Sequence, residues 1–259
     1  MLVLVAAAVS SPASAQPFAP PIRSDYLTWK GAPIPGGEGR IAFALNKRKS
    51  RPIAVLLRRT GKKDNFGTFY STELLPEFLL EKGFSVARIE PFGNGRPDPV
   101  REARFTRDGI AEILRRAREL GYDDSKLVLV ASGWDGYAGA RVALENSPII
   151  EKIKAAVLID AAGLDPHGGR NRDIPGLESM MTPPNASSLI VLGVKDFGAR
   201  ADAARSFVEA LQKSGVQAHL LWTGRTLRDT ESTQLGGKGN KPTEEIIRLL
   251  AQAGIIEKE

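Results

Sequence analysis

Arginine side chains follow two apolar runs of this sequence, and their chemistry suggests a ligand. Arg58 and Arg59 come directly after the run Ile53–Leu57, and Arg225 comes shortly after the run Ala218–Trp222. Guanidinium groups bind carboxylates and phosphates through charge-assisted hydrogen bonds. These arginines therefore predict a small-molecule ligand that is anionic. The alternative is that the same side chains are solvated and balanced by acids nearby in the sequence.

Residues for other kinds of chemistry are scarce. The chain has no cysteine and two histidines, His167 and His219. His219 lies within an apolar run, where we expect a strand and a packed side chain. The sequence shows no spacing typical of metal ligands and no dinucleotide fingerprint, and the glycines at 236–239 follow no strand as a phosphate-binding loop would. We therefore predict no metal and no cofactor.

The positive charge of the chain raises the question of a nucleic-acid partner. The net charge is +6 and the isoelectric point is about 9.6. The basic pairs and triplets are scattered along the sequence, with acids between them and without interleaved aromatic residues, whereas nucleic-acid binding needs basic residues clustered on one face. We therefore predict no nucleic-acid partner. The sequence specifies no oligomeric state.

Apolar runs of strand length alternate with segments of helical periodicity through most of the chain. This alternation predicts an α/β fold, a three-layer α/β/α sandwich with a mostly parallel central sheet, in which ligands bind at the carboxyl ends of the strands. The predicted strands are Ile41–Leu45, Ile53–Leu57, Phe84–Ile89, Leu127–Val130, Ala155–Ile159, Leu189–Leu192 and Ala218–Trp222. The predicted helices span residues 71–82, 101–120, 137–145, 201–213 and 243–251.

The N-terminal residues predict export. Residues 2–9 are apolar and Ala13-Ser14-Ala15 follows at the spacing that a signal peptidase accepts, although no charged leader precedes the run. We therefore predict a signal peptide over residues 1–15 and a periplasmic or secreted protein. The proline- and glycine-rich residues 16–39 predict an extended lead-in, and residues 40–259 predict one domain. No apolar run reaches the roughly 20 residues that a membrane span requires.

The stretch from Gly121 to Gly136 combines a helix end, an aspartate-containing turn, a strand and a glycine-rich turn. Its sequence, Gly-Tyr-Asp-Asp-Ser-Lys-Leu-Val-Leu-Val-Ala-Ser-Gly-Trp-Asp-Gly, resembles the approach to the nucleophile elbow in the esterase and lipase branch of the α/β-hydrolase superfamily. The resemblance spans residues 39–254, because the order and spacing of the later strands also fit. It implies the α/β-hydrolase fold.

The resemblance places a nucleophile in the glycine-rich turn, but this turn departs from the family pattern G-x-S-x-G. Aligned from the strand without a gap, Gly133 occupies the position of the nucleophilic serine and Ser132 comes one residue too early. The neighbouring Trp134 is a candidate ligand contact. A shifted register instead places Asp135 at the nucleophile position, as in the dehalogenase branch, with Tyr137 where a small residue is expected.

The remaining catalytic positions are only partly matched. Asp196 resembles the acid of the catalytic triad, although an aspartate there would also suit a turn or a helix cap. The histidine is expected after the last strand, where Leu227 stands, and His167 lies in a different loop. The His-Gly-Gly type of motif that provides oxyanion donors is replaced by Arg-Arg-Thr-Gly-Lys-Lys at residues 58–63.

Three functional hypotheses follow from these departures. The leading one is an exported binding or interaction protein that has lost serine-hydrolase catalysis and uses the ancestral pocket. The second is an esterase-like or other hydrolase with a rebuilt site, in which Asp135 is the nucleophile or base and Asp196 and His167 are its partners. The third is a purely structural protein with a filled pocket. Ordinary serine-ester hydrolysis is the least favoured, because three parts of its machinery have changed together.

Overall fold

The apolar runs predicted as strands form seven of the eight strands of a single sheet. The computed structural model describes residues 26–33, 39–57, 79–91, 99–132, 135–145, 149–159, 189–194, 199–222 and 241–257. Its eight strands have the spatial order β1-β2-β4-β3-β5-β6-β7-β8. They are β1 (Tyr26–Pro33), β2 (Gly39–Asn46), β3 (Ile53–Leu57), β4 (Ser85–Pro91), β5 (Leu127–Ser132), β6 (Ile153–Ile159), β7 (Leu189–Val194) and β8 (Gln217–Trp222).

All neighbouring strands from β4 to β8 pair in parallel, whereas β2 runs antiparallel to both β1 and β4. Strands buried on both faces need continuous apolar sequence, and all five residues of β3 are buried. The prediction of a mostly parallel sheet is confirmed.

Helices cover both faces of the sheet. They are α1 (Pro99–Glu119), α2 (Asp135–Leu144), α3 (Ala199–Lys213) and α4 (Lys241–Gln252). Apolar residues of α1, α2 and α3 form one core cluster with the sheet, while α4 and the helical residues Leu79 and Leu80 form a second cluster. Because the clusters contain alternate residues of the same strands, they lie on opposite faces, and the predicted three layers are present. None of the helices that the structure describes is long and apolar enough to cross a membrane.

The first strand lies within the segment predicted as an extended lead-in. β1 contains a glycine and ends at a proline, so its sequence lacks the apolar run of a buried strand. Its register with β2 shifts between Trp29 and Ala32, which places two residues of β1 opposite one of β2. Bulges of this kind are frequent in edge strands, which tolerate interrupted sequences. The sheet therefore begins at Tyr26, before the domain boundary predicted at residue 40.

The strand order defines where a ligand site is expected. From β3 the chain moves to β4 on one side, and it then returns to place β5 on the other side of β3. The crevice between the carboxyl ends of β3 and β5 is therefore a switch point, the usual ligand site of such sheets. β3 ends at Leu57 and β5 ends at Ser132.

Candidate active site

The junction between β5 and α2 is the centre of the candidate site. β5 continues to Ser132, which pairs with Ile159 of β6, and α2 begins at Asp135. Only two residues, Gly133 and Trp134, connect the strand to the helix. A strand that passes into a helix through so short a connection has the backbone plan of a nucleophile elbow. The structures of Gly133 and Trp134 and the side chains of Ser132 and Asp135 lie outside the described part of the chain.

Close packing of α2 on the sheet supports this plan. A Cβ atom placed on Gly139 would lie 2.9 Å from the Cβ of Ala131 in β5 and 3.4 Å from Cδ2 of Leu158 in β6. Real carbon contacts are about 3.5–4.0 Å, so only glycine permits this approach. An elbow requires small residues where its strand and helix meet, and Ala131 and Gly139 meet that requirement here.

Tyr137 is packed near the start of α2. Its side chain is 1% exposed and belongs to the core cluster shared by α1, α2 and α3. Burial raises the pKa of the Tyr137 hydroxyl, and the nearby Arg141, which is hydrogen-bonded to it, partly offsets that increase. This tyrosine therefore contributes to the core beneath the elbow.

Most residues predicted for the site lie outside the described ranges. These residues are Arg58, Arg59, Gly133, Trp134, His167, Asp196, Arg225 and Leu227. The strands that precede them are described, and the carboxyl ends of β3, β5, β6, β7 and β8 lie at one edge of the sheet because these strands are parallel. The segments that carry these residues therefore each begin at the same edge of the sheet.

Arg88 is a residue near this edge that is not among those predicted for the site. It lies in β4 opposite Leu56, one residue before the end of β3, and its side chain is 3% exposed. Arginine is rarely buried to this extent without a polar partner, and Arg88 does interact within the protein. The signal in the sequence is a single arginine inside the otherwise uncharged segment 84–89.

His219 is not packed in the core, and the expectation that it would be is wrong. β8 is an edge strand, and His219 is exposed on the face that meets α4. There it helps to lower the pKa of Glu245, although the hydrogen bonds from Arg248 are the main cause. His219 also lines an open groove of about 700 Å³ at the amino edge of β7 and β8, together with Gln212, Gln217, Leu249 and Gln252.

No cluster of histidine and carboxylate side chains among the described residues could hold a metal ion. The described polar groups thus provide no metal site, and the candidate site is defined by backbone geometry at the carboxyl edge.

Comparison with known proteins supports the same architecture. No family model and no curated protein sequence matches the chain. Among solved structures, carboxyl esterase 2 from Tuber melanosporum is 17% identical, with a TM-score of 0.62 over 91% of this chain and 89% of that one. A candidate carboxylesterase from Lactobacillus plantarum is 12% identical, with a TM-score of 0.67 over 89% and 99%.

A third structure, Thermogutta terrifontis esterase 2 phosphoramylated by tabun, is 16% identical, with a TM-score of 0.63 over 92% of this chain and 98% of that one. At such low identity the likeness concerns the fold alone. The strand order, the short strand-to-helix junction and these neighbours together show that this chain has the α/β-hydrolase fold.

Proposed function

We propose that this protein is an exported α/β-hydrolase-fold protein that has lost serine-hydrolase catalysis and binds a small molecule in the ancestral pocket. One observation carries the proposal. The two residues between β5 and α2 are Gly133 and Trp134, and neither side chain is a nucleophile. An elbow enzyme needs its nucleophile in that connection, because only there does the side chain face the substrate.

The neighbouring residues offer no simple replacement. Ser132 is still part of β5 and Asp135 is already the first residue of α2. The sequence also lacks a histidine near Leu227, where the resemblance places the catalytic base. Loss of the nucleophile or the base lowers kcat by many powers of ten. A residual activity of that size would not sustain an esterase function.

The ligand that we propose is a small anion. Arg58 and Arg59 follow β3, the strand beside the switch point, and Arg225 follows β8. We propose Trp134, one of the two residues that connect β5 to α2, as an aromatic contact for this ligand. A bound ligand stabilises the fold by about 2.7 kcal/mol at a hundredfold excess over its Kd. Thermal-shift screening of small carboxylates and phosphate esters should therefore identify anions that raise Tm, with smaller shifts in an Arg58→Ala/Arg225→Ala variant. If no anion raises Tm, the anionic ligand is wrong.

A rebuilt hydrolase is the second candidate, because Asp135, directly after the junction, is the acidic residue nearest to it in the sequence. In this alternative Asp135 acts as nucleophile or base, Asp196 is its partner and His167 completes the site. Two carboxylates close together cannot both ionise at their ordinary pKa, so a working pair would show one raised pKa. The activity should then depend on that raised pKa and should disappear in Asp135→Asn.

Covalent labelling separates these candidates. One structural neighbour is phosphoramylated by tabun, whereas we expect no reaction of this protein with a fluorophosphonate probe and no hydrolysis of short p-nitrophenyl esters. The matched controls are Ser132→Ala and Gly133→Ser, the second of which restores a hydroxyl at the elbow. Stoichiometric labelling that disappears in Ser132→Ala would overturn the proposed loss of catalysis. Turnover that survives Ser132→Ala and disappears in Asp135→Asn would favour the rebuilt hydrolase.

Export is tested separately from binding. We expect the expressed protein to be recovered from the periplasm or medium without residues 1–15. Recovery of the intact chain in the cytoplasm would contradict export without affecting the proposed pocket.

A further inference from the structure

A basic turn caps the amino edge of the sheet, on the side opposite the candidate active site. The turn connects β2 to β3 and has the sequence Lys47-Arg48-Lys49-Ser50-Arg51, so four of its five residues are basic. The first four residues are exposed and Arg51 is half-buried. A block of positive charge this short and dense is a feature of surfaces that meet anions.

Hydrogen bonds hold the basic turn in a fixed position. The Arg48 N–H donates to Oδ1 of Asn46 at 2.9 Å, and the Asn46 side-chain amide donates to the Gly83 carbonyl at 3.0 Å. The carbonyl of Lys49 accepts the N–H of Asp123 at 2.9 Å. The turn is thereby joined both to the segment before β4 and to the segment before β5.

The positive charge of the turn is only partly neutralised within the protein. Arg51 pairs with Glu257 at 3.0 Å. Lys49 donates to the carbonyl of Leu120 at 2.7 Å and lies 5.7 Å from the centre of the Tyr122 ring, contacts that leave its charge in place. Lys47 and Arg48 form no ion pair with a carboxylate of the described residues.

The nearby carboxylates are already engaged by other groups. Asp124 pairs with Arg118 at 2.7 Å, and this hydrogen bond holds the pKa of Asp124 below its ordinary value. Asp123 accepts hydrogen bonds from the backbone and side chain of Ser125. Both carboxylates are therefore engaged by groups outside the basic turn.

An exposed leucine lies beside the same turn. Leu120 is 40% exposed, and among the side chains whose exposure the structure gives it is the one large apolar residue that is well exposed. Its backbone carbonyl accepts a hydrogen bond from the Lys49 ammonium. The next residue, Gly121, is also close to Lys49, since a Cβ atom placed on it would lie 3.3 Å from the Lys49 Nζ. Leu120 thus lies next to the basic turn, and its side chain is exposed there.

We propose that the basic turn (residues 47–51) and Leu120 together dock this protein on the surface of an anionic phospholipid bilayer. Lysine and arginine at such a surface are attracted to the lipid phosphates, while an apolar side chain enters the headgroup region. Leu120 favours a bilayer over a nucleic acid, because backbone phosphates give a leucine no apolar partner. In this orientation the carboxyl edge of the sheet faces away from the membrane, toward soluble ligands.

Vesicle flotation tests the proposal with the full chain. Vesicles of three parts phosphatidylcholine and one part phosphatidylglycerol should bind the protein at low salt, and pure phosphatidylcholine vesicles should bind it far less. Binding should weaken as salt rises, because exposed charges are screened. The apolar residues 2–9 are common to all variants and would bind both kinds of vesicle alike, so the difference between the vesicles reports the basic turn.

Matched variants assign the binding to named residues. Lys47→Gln/Arg48→Gln should weaken binding to the anionic vesicles by about 30-fold, since each basic side chain at such a surface contributes roughly fivefold. Leu120→Ser should weaken it by roughly fivefold through lost apolar burial. The control Arg104→Gln/Arg205→Gln removes the same formal charge from exposed positions of α1 and α3, outside the basic turn, and should change binding by about twofold or less.

Three results would overturn the proposal. The first is equal binding to neutral and anionic vesicles. The second is an equal loss of binding in the control and in Lys47→Gln/Arg48→Gln, which would indicate net charge alone. The third is tighter binding to a DNA duplex than to vesicles of equal phosphate concentration, with Leu120→Ser unchanged, which would assign the turn to nucleic acid.

Discussion

At the scale of single residues, two tyrosines are similarly buried but differ in their hydroxyl partners. Tyr122 is 6% exposed and its hydroxyl has no hydrogen-bond partner among the described residues, whereas the Tyr137 hydroxyl bonds to Arg141. A buried hydroxyl without a partner costs about 1–3 kcal/mol. We therefore expect Tyr122→Phe to raise the free energy of unfolding by about 1 kcal/mol in urea denaturation, since Phe keeps the ring contact with Lys49.

The control for this prediction is Tyr137→Phe. Removal of that hydroxyl leaves Arg141 with one fewer acceptor, so the free energy of unfolding should fall by about 1 kcal/mol. Equal changes in the two variants would contradict the difference in their partners.

Glu112 of α1 is a buried carboxylate with two arginine partners. It accepts hydrogen bonds from Arg115 at 2.7 and 2.8 Å and from Arg116 at 2.6 Å, and Arg115 above all lowers its pKa from 4.5 to about 2. A carboxylate with a lowered pKa stabilises the fold above its ordinary pKa, and this contribution is lost as the pH falls through the folded value.

We expect Glu112→Gln to lower the free energy of unfolding at pH 7 by about 1 kcal/mol, because partial exposure of the arginines screens the pair. The difference from the parent should shrink as the pH falls from about 4.5 to about 2, measured by urea denaturation at each pH. Glu119→Gln is the control, since Glu119 is largely exposed and should show a smaller effect. A difference that stays constant with pH would rule out this linkage.

Residue-level outcomes were the hardest to predict from the sequence. The apolar neighbours of His219 predicted burial, but the position of β8 at the sheet edge exposes it, and strand order depends on contacts between distant segments. The burial of Arg88 likewise depends on packing around β4. The predicted roles of Gly133, Asp196 and Leu227 stay predictions, because they need side-chain geometry in segments outside the described ranges.

At the scale of elements, local sequence was sufficient for most of the fold. Each predicted strand from Ile41 onward matches an observed one, with Phe84 the one predicted strand residue that lies just before its strand, and the helix predicted at residues 101–120 matches α1 to within two residues. These elements have apolar periodicity, which does not depend on distant contacts. β1 has none, because an edge strand with a bulge is stabilised by pairing with β2 rather than by burial of an apolar run.

The contact between α2 and β5 gives a prediction at this scale. Gly139→Ala would place its Cβ 2.9 Å from that of Ala131, and neither atom is at the end of a flexible side chain. The backbone must shift, so we expect a loss of about 1–3 kcal/mol in unfolding free energy despite the better helix propensity of alanine. The reciprocal Gly139→Ala/Ala131→Gly variant should recover part of that loss. Additive effects in this double-mutant cycle would show that the two residues do not meet.

At the scale of the whole molecule, the topology predicts the position of the site better than its chemistry. The switch point between β3 and β5 follows from strand order, and strand order follows from which apolar runs pair in parallel. Every segment that carries a predicted site residue starts at the carboxyl end of one of these strands. The amino edge, with its basic turn, is left available for a different surface. The proposed ligand pocket and the proposed membrane-docking turn thus lie at opposite edges of one sheet.

The sheet also joins the two core clusters, which gives the last prediction. Ile113 of α1 packs on one face and Ile246 of α4 on the other. Each Ile→Val substitution should cost about 0.5–1.5 kcal/mol, and the double variant should lose their sum to within about 0.5 kcal/mol, because the residues share no contact across the sheet.

Since both clusters use alternate residues of the same strands, neither face can unfold alone. Unfolding should therefore be a single transition in all variants, with coincident curves from circular dichroism and tryptophan fluorescence. Trp29 lies in the edge strand β1 and Trp222 in the opposite edge strand β8, so the fluorescence signal includes a tryptophan at each edge of the sheet. Separate transitions, or a coupling well above 0.5 kcal/mol, would mean that the layers are not joined in this way.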